Sequence, residues 1–365
     1  MAVAIIANAA VFHTRIEGKR GISYIGNLKT SGGFINTEVI ACWKWIIENV
    51  NYWPIFKIAS DLLSNIPTVQ ANEILNLLYK TASRLADIGA TSLNDLSGRM
   101  FQKLIADRKF LATFYTLPVS ATLLAELAVS RLRTNWGNAD EVKALRVGDL
   151  ACGTGTLVGA LYNAILSRHR RGGCNDTEIH SSMMEESLYA FDIMPAATHL
   201  AASTLSNAHP SITFGATKIV TMPYGYDEKE NLHIGSLDLI VEQQAESLFS
   251  LGKSRKQMTG YVGKSKDKFV GVSAGSLDLI IMNPPFTRPT NHEKAEVPVP
   301  SFAGFNTSDD EQRAMSKKLK QIRNSLKKSA GHGNAGLASN FIDLAHAKLK
   351  LGGILALVLP ATFTQ

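Results

Sequence analysis

Cysteine is scarce in this chain: three residues in 365, Cys42, Cys152 and Cys174, far apart and without metal-ligand spacing. Neither a disulfide framework nor a zinc site has the material to form. No apolar run is long enough to cross a bilayer. The apolar start, residues 2–12, lacks the basic leader and cleavage pattern of a signal peptide. The expectation is a cytoplasmic protein without a membrane partner. A glycine turn at 153–155 has no P-loop lysine after it, and it departs from the dinucleotide spacing G-x-G-x-x-G because the third glycine falls at Gly159. Excess acid is also missing. The net charge of +7 and pI near 9.2 fit a polyanionic partner, although many proteins with that balance never meet nucleic acid. With 45% hydrophobic residues, the chain can bury a large core, and its length predicts two domains.

What is present centres on one tetrapeptide. The apolar run 277–282 predicts a buried strand, and it stops on Asn283-Pro284-Pro285-Phe286. Two prolines hold φ near −65° and donate no backbone hydrogen bond, so the strand must end there in a stiff turn. A strand's carboxyl end is where open α/β sheets bind ligands. This turn offers an amide side chain, carbonyl oxygens outside any ladder, and a flat ring. The amide oxygen of Asn283 and the carbonyl of Pro284 can accept the two protons of a planar group's exocyclic NH2, while Phe286 stacks on its face. Two acceptors placed for a tetrahedral nitrogen push its lone pair out of the ring plane and towards an electrophile, with no general base required. The plainer alternative is a Pro-rich loop that merely ends a strand. The choice turns on a methyl-donor site upstream.

Residues 144–161 read as strand, glycine turn and helix. Asp149 ends the strand, Gly153 and Gly155 permit a tight turn and close backbone approach, and Leu157, Leu161 and Ile165 mark one helix face. Asp149 stands where a carboxylate meets a cationic ligand. A second short apolar strand, 188–192, ends in Asp192, the position at which doubly wound sheets take ribose hydroxyls. The long gap between them predicts an enlarged surface loop over 168–186. A solvated strand-end carboxylate is the alternative for Asp192.

The ordered set Asp149-Leu-Ala-Cys-Gly-Thr-Gly155, Asp192 and Asn283-Pro-Pro-Phe286 resembles the amino-methyltransferases that use S-adenosylmethionine, above all the adenine-N6 DNA methylases of the restriction-modification modification-subunit type. Phe114-Tyr115-Thr116-Leu117-Pro118 is similar to that family's Phe-Tyr-Thr-Pro segment, which closes over the methionine end of the cofactor. Here an extra Leu117 leaves open which of Tyr115, Thr116 and Pro118 makes that contact. The resemblance covers residues 90–365. It implies an α/β fold, a Rossmann-like S-adenosylmethionine-dependent methyltransferase sheet preceded by a helical N-terminal domain. Domain bounds of 1–108 and 109–365 follow, with further strands and a target-recognition region expected past Gln365. By the same resemblance Asp149, Ala151, Gly153 and Gly155 hold the methionine part, Asp192 the ribose, and Ile193 the cofactor's adenine ring. Asp238 or Ser236 takes the adenine amino group. Asn283, Pro284, Pro285 and Phe286 are the catalytic set. The implied partners are DNA and a restriction or specificity subunit. Other acceptors (cytosine N4, an RNA base, a protein glutamine) stay open, as does a non-catalytic nucleic-acid-binding subunit.

The remaining patterns are structural in the first instance. Val39, Ile40, Trp43, Ile46, Ile47 and Val50 share a helical face, and their aromatic neighbours read as core. Ile74, Leu78, Leu85 and Ile88 predict the next stripe, and Leu93, Leu96, Met100 and Leu104 another. A helix capped at Ser308 carries Met315, Leu319, Ile322 and Leu326 on one side and seven cations on the others. Such a face is either solvated or tracks phosphates. Residues 253–268 form a second basic stretch. Asp278 reads as structural, and a final helix (339–350) leads into a strand at 354–359.

Overall fold

Twenty regular elements order the described part of the chain. They are α1 (Ala2–Ile16), β1 (Lys29–Thr30), β2 (Gly33–Phe34), α2 (Asn36–Asn49), α3 (Trp53–Ser64), α4 (Thr68–Asp87), α5 (Pro118–Val129), α6 (Ala139–Ala144), β3 (Val147–Asp149), α7 (Thr156–Arg171), α8 (Thr177–Ser182), β4 (Leu188–Asp192), α9 (Pro195–Ser206), β5 (Lys218–Thr221), β6 (Tyr224–Tyr226), β7 (Leu232–Ile234), β8 (Leu277–Met282), α10 (Asp309–Ser325), α11 (Gly336–Lys348) and β9 (Leu349–Leu357). The computed structural model describes residues 2–87, 116–228, 230–240, 271–286, 308–331 and 336–359. Tyr115, the proposed boundary at 108, the stripe at 93–104 and the basic stretch at 253–268 lie outside the described residues.

Five strands form one sheet in the order β5-β4-β3-β8-β9, and every neighbouring pair is parallel. The chain runs outward from β3 in one direction, then returns to β3 and runs outward in the other. That reversal makes the β3/β8 junction the switch point of an open α/β sheet. Residues alternate between the two faces, as a pleated strand requires. Val147, Leu188, Ala190, Leu279 and Ile281 face one core. Leu150, Tyr189, Phe191, Ile280 and Met282 face the other, with α10 and α11 supplying Met315, Leu319, Ile322, Phe341 and Leu344. Leu277 joins this second core although two residues from Leu279, because the β8/β9 register shifts between them.

The amino-terminal helices share the first core with the sheet. α1 and α3 pack on α9, and polar contacts tie the junction. His199 Nδ1 donates to the Pro54 carbonyl (3.1 Å), so Nε2 accepts from the Asn8 amide (3.2 Å). The Asn51 amide donates to the Phe214 carbonyl and the Tyr52 hydroxyl to that of Pro210. Trp43 and Tyr52 are buried core residues, whereas Trp45 is 40% exposed.

Three expectations need correction. The buried face of α4 is Ala71, Leu75, Tyr79 and Ala82, one residue round from the predicted stripe. Tyr79 wins the inward position because its ring stacks on Phe34 at 4.6 Å and its hydroxyl reaches His13 Nδ1 (3.1 Å). Residues 168–186 are no surface loop: α7 runs on to Arg171, α8 follows, and Ile179, His180, Met183 and Met184 are buried. The last helix ends at Lys348 and β9 begins at Leu349, so the Gly352-Gly353 pair lies inside a strand.

Candidate functional site

At the switch point, Val147 pairs with Leu279 and Gly148 with Ile280. Asp149 and Met282 therefore finish neighbouring strands on the same edge, with β3 and β8 about 4.8 Å apart. The glycine turn and the Asn-Pro-Pro-Phe corner open side by side. The ladder continues on the other flank of β8 to Val358 N–H donating to Met282 O (2.9 Å), and carbonyls from Asn283 onward lie beyond it.

The glycine turn is built by its own hydrogen bonds. Gly155 N–H donates to Cys152 O (2.9 Å) and Cys152 N–H to Phe191 O (2.8 Å). Gly153 and Gly155 both take left-handed φ, +52° and +87°, which favours glycine. Their surroundings differ. A Cβ on Gly155 would sit 2.8 Å from Ala201 Cα, whereas one on Gly153 meets no atom of the described residues within 4 Å. Gly155 thus brings α7 against α9, and Gly153 presents bare backbone to open space.

Two carboxylates border this turn. Asp149 is 1% exposed. One of its oxygens accepts from Ala151 N–H (3.0 Å), and the other has no hydrogen-bond partner among the described residues. Burial, reinforced by the nearby Asp192 charge, pushes its pKa up to about 8. An orphaned, buried carboxylate oxygen is costly unless a cation or donor meets it. Asp192 is half-buried rather than a free strand-end carboxylate. Its oxygens accept from Gly153 N–H (2.9 Å) and Met194 N–H (2.8 Å), which ties β4 to the turn, and burial raises its pKa. A carboxylate offers about four lone-pair directions, so capacity remains. Ile193 beside it is half-buried, and its methyl lies 2.6 Å from where a Cβ on Gly235 would be.

Asp238 is engaged elsewhere. One oxygen pairs with Lys318 Nζ at 2.5 Å, and the other accepts from Ile234 N–H (2.9 Å) and lies 3.5 Å from His233 Nδ1. The structure places it as a link between β7 and α10. Asp278 is structural: it accepts from Arg146 N–H (2.8 Å) and pairs with Lys350 (2.6 Å).

Thr116 joins the site from far along the sequence. Asn283 Nδ2 donates to Thr116 Oγ1 at 3.0 Å, a contact that no local pattern announces. Pro118 opens α5 two residues later. A cavity of about 190 Å³ lies between α5 and α7, lined in part by Pro118, Thr156 and Asn163, and none of Asp149, Asp192 or Asn283 borders it. It is smaller than the roughly 300–1,000 Å³ of ordinary ligand pockets.

Among the described residues no His, Cys, Asp and Glu group could hold a metal, and no helix is long and apolar enough to cross a membrane. No protein-family model matches the sequence, and no curated protein matches it. Among solved structures the chain is similar to the type IIG restriction endonuclease BpuSI, at 12% identity and TM-score 0.49, covering 99% of this chain and 31% of that one. It is also similar to the Type ISP restriction-modification enzyme LlaGI bound to a DNA substrate mimic, at 13% and 0.44, covering 87% and 25%. A modification subunit of a putative type I restriction enzyme from Vibrio vulnificus YJ016 matches at 15% and 0.36, covering 91% and 62%. The chain spans less than two thirds of each of these proteins.

Proposed function

We propose that this chain is the catalytic part of an S-adenosylmethionine-dependent methyltransferase acting on the exocyclic N6 of adenine in DNA, within a restriction-modification or related defence system. One observation carries the reading: the glycine turn and the Asn-Pro-Pro-Phe corner end adjacent parallel strands at the switch point. Donor and acceptor sites would face each other there. The residues present fit the cofactor. The unpartnered Asp149 oxygen suits its cationic methionine end, and bare Gly153 backbone leaves room for close approach. Asp192 keeps lone pairs for ribose hydroxyls, and Ile193 an apolar surface for the adenine ring. Because Asp238 is held by Lys318, Ser236 is the freer candidate for the adenine amino group.

When bound, S-adenosylmethionine supplies an electrophilic methyl on a sulfonium. The chain's task is to aim the amine. Asn283 Oδ1 and the Pro284 carbonyl accept hydrogen bonds from the two amino N–H groups, Phe286 stacks on the base, and the nitrogen lone pair turns out of the ring plane. An adenine inside a duplex cannot reach this corner, so the base must be extruded. Exposed Arg313, Lys317, Lys320, Lys327 and Lys328 on and after α10 suit backbone phosphates, whereas Lys318 is spent on Asp238.

The test uses labelled cofactor offered DNA, RNA and protein acceptors, with mapping of the modified atom. Label on adenine N6 of DNA is expected. Asn283→Ala should bind S-adenosylhomocysteine normally and lose at least about a hundredfold in rate, the scale of a lost oxyanion-hole donor. Near-normal transfer by that variant refutes the catalytic role, and label on cytosine, RNA or glutamine reassigns the acceptor.

A further inference from the structure

Thr116, one of three residues that the resemblance offers for the cofactor contact, stands at the Asn283 side chain. We propose that Thr116 is a positioning residue that fixes which way the Asn283 amide faces, an inference that rests on the methyltransferase reading above. The amide nitrogen donates to Thr116 Oγ1 at 3.0 Å. In a planar carboxamide the nitrogen and oxygen project in different directions from one carbon. A nitrogen committed to Thr116 therefore directs the oxygen elsewhere, as an acceptor. The orientation matters chemically. An amide turned the other way would present NH2 to the substrate's NH2, donor against donor, and could not draw the lone pair out of the base plane.

A hydroxyl can accept or donate; here it accepts from the amide nitrogen, and the fold holds it in that place. Leu117 is the N-cap of α5 and Pro118 its first residue, and Ala121 N–H donates to Leu117 O (2.9 Å). Ala121 and Ala125 are fully buried, and these small residues seat α5 closely against α7, with further contacts to β8 and β9. Thr116 is thus anchored by a helix that leans on the strand bearing Asn283. Its β-branched side chain has few χ1 options, which holds Oγ1 in place. The hydrogen bond links residues 167 positions apart, and it couples the segment over the donor site to the corner that handles the acceptor.

The experiment compares Thr116→Val, nearly isosteric but without the hydroxyl, with Thr116→Ser, which keeps it. Single-turnover transfer to DNA at saturating cofactor should fall ten- to a hundredfold in the valine variant and recover at least a third of the wild-type rate in the serine variant. Affinity for S-adenosylhomocysteine, measured by calorimetry, should stay within threefold, and melting temperatures confirm folding. A tenfold loss of affinity with an unchanged saturated rate would make Thr116 a cofactor contact and overturn the proposal. Unchanged rate and affinity would overturn it as well. A second arm needs no activity: in protein labelled with ¹⁵N-asparagine, the Asn283 side-chain amide should exchange its protons at least tenfold faster in Thr116→Val than in wild type. If the wild-type chain methylates nothing, the functional reading fails, yet the exchange measurement still decides whether Thr116 holds Asn283.

Discussion

Under the proposed function, Asp149 carries opposite demands for stability and for binding. Its carboxyl is buried with one oxygen unmet, and its pKa stands near 8 against about 3.9 in an unfolded chain. The folded state thus favours the protonated form. The stabilisation is complete below pH 4, declines as pH rises, and is gone above pH 8, at up to about 1.4 kcal/mol per unit. Asp149→Asn removes the titration. Thermal melts should show the variant more stable than wild type at pH 8, with the gap closing near pH 4. Superimposable pH profiles would contradict the burial argument. The same variant is expected to bind S-adenosylhomocysteine more weakly, the usual conflict between stability and function at a site. At this scale the sequence was largely legible: strand ends, glycines and prolines declare themselves through backbone constraints. Thr116 as a partner of Asn283 was not, because only the docking of α5 brings the two together. Nor was the pairing of Asp238 with Lys318, since a carboxylate reads the same whether it meets a ligand or a lysine.

At the scale of elements, two glycines in one turn serve different purposes. Gly155 is a packing glycine, and an added methyl would meet Ala201 Cα at 2.8 Å while φ stays at +87°. Gly155→Ala should lower stability by about 3 kcal/mol through left-handed strain plus overpacking, visible as a lower midpoint in urea. Gly153→Ala bears only the left-handed strain of about 1–2 kcal/mol. It should instead weaken cofactor binding at least tenfold in calorimetry. If both variants behave alike, the division of labour is wrong. Amphipathic periodicity located the helices well: α7 buries Leu157, Leu161 and Ile165, and α10 has its capping box at Ser308 and Glu311. It misjudged α4 by one residue, because an inward tyrosine with a buried histidine partner outweighs a leucine at the margin. Residues 168–186 misled because polar spacing masked a buried turn.

At the scale of the whole molecule, the amino-terminal helices and the sheet share one core, fastened through His199 to α1 and α3. His13, His199 and His180 are all kept neutral by burial, with pKa values lowered to about 4, 4 and 3. Each contributes stability that is full above pH 6.5 and lost as pH falls through its folded value, because the unfolded chain takes up the proton first. Asp149 acts in the other direction, so without ligand the chain should melt highest between about pH 6 and 7. His199→Gln should make the acid limb shallower, leaving the share of His13 and His180, whereas Asp149→Asn should remove the decline above about pH 7 and steepen the acid limb. A monotonic profile from pH 4.5 to 9 would reject this balance.

The strand order has a consequence for how the chain is made. β8 lies inside the sheet between β3 and β9, yet it leaves the ribosome long after β3, β4 and β5. During that interval the nascent sheet has a bare flank of unpaired N–H and C=O groups at β3, an invitation to pairing with the wrong chain. Synthesis of the Asn-Pro-Pro-Phe strand is therefore also the step that closes the flank, so the segment carrying the proposed chemistry doubles as the keystone of biogenesis.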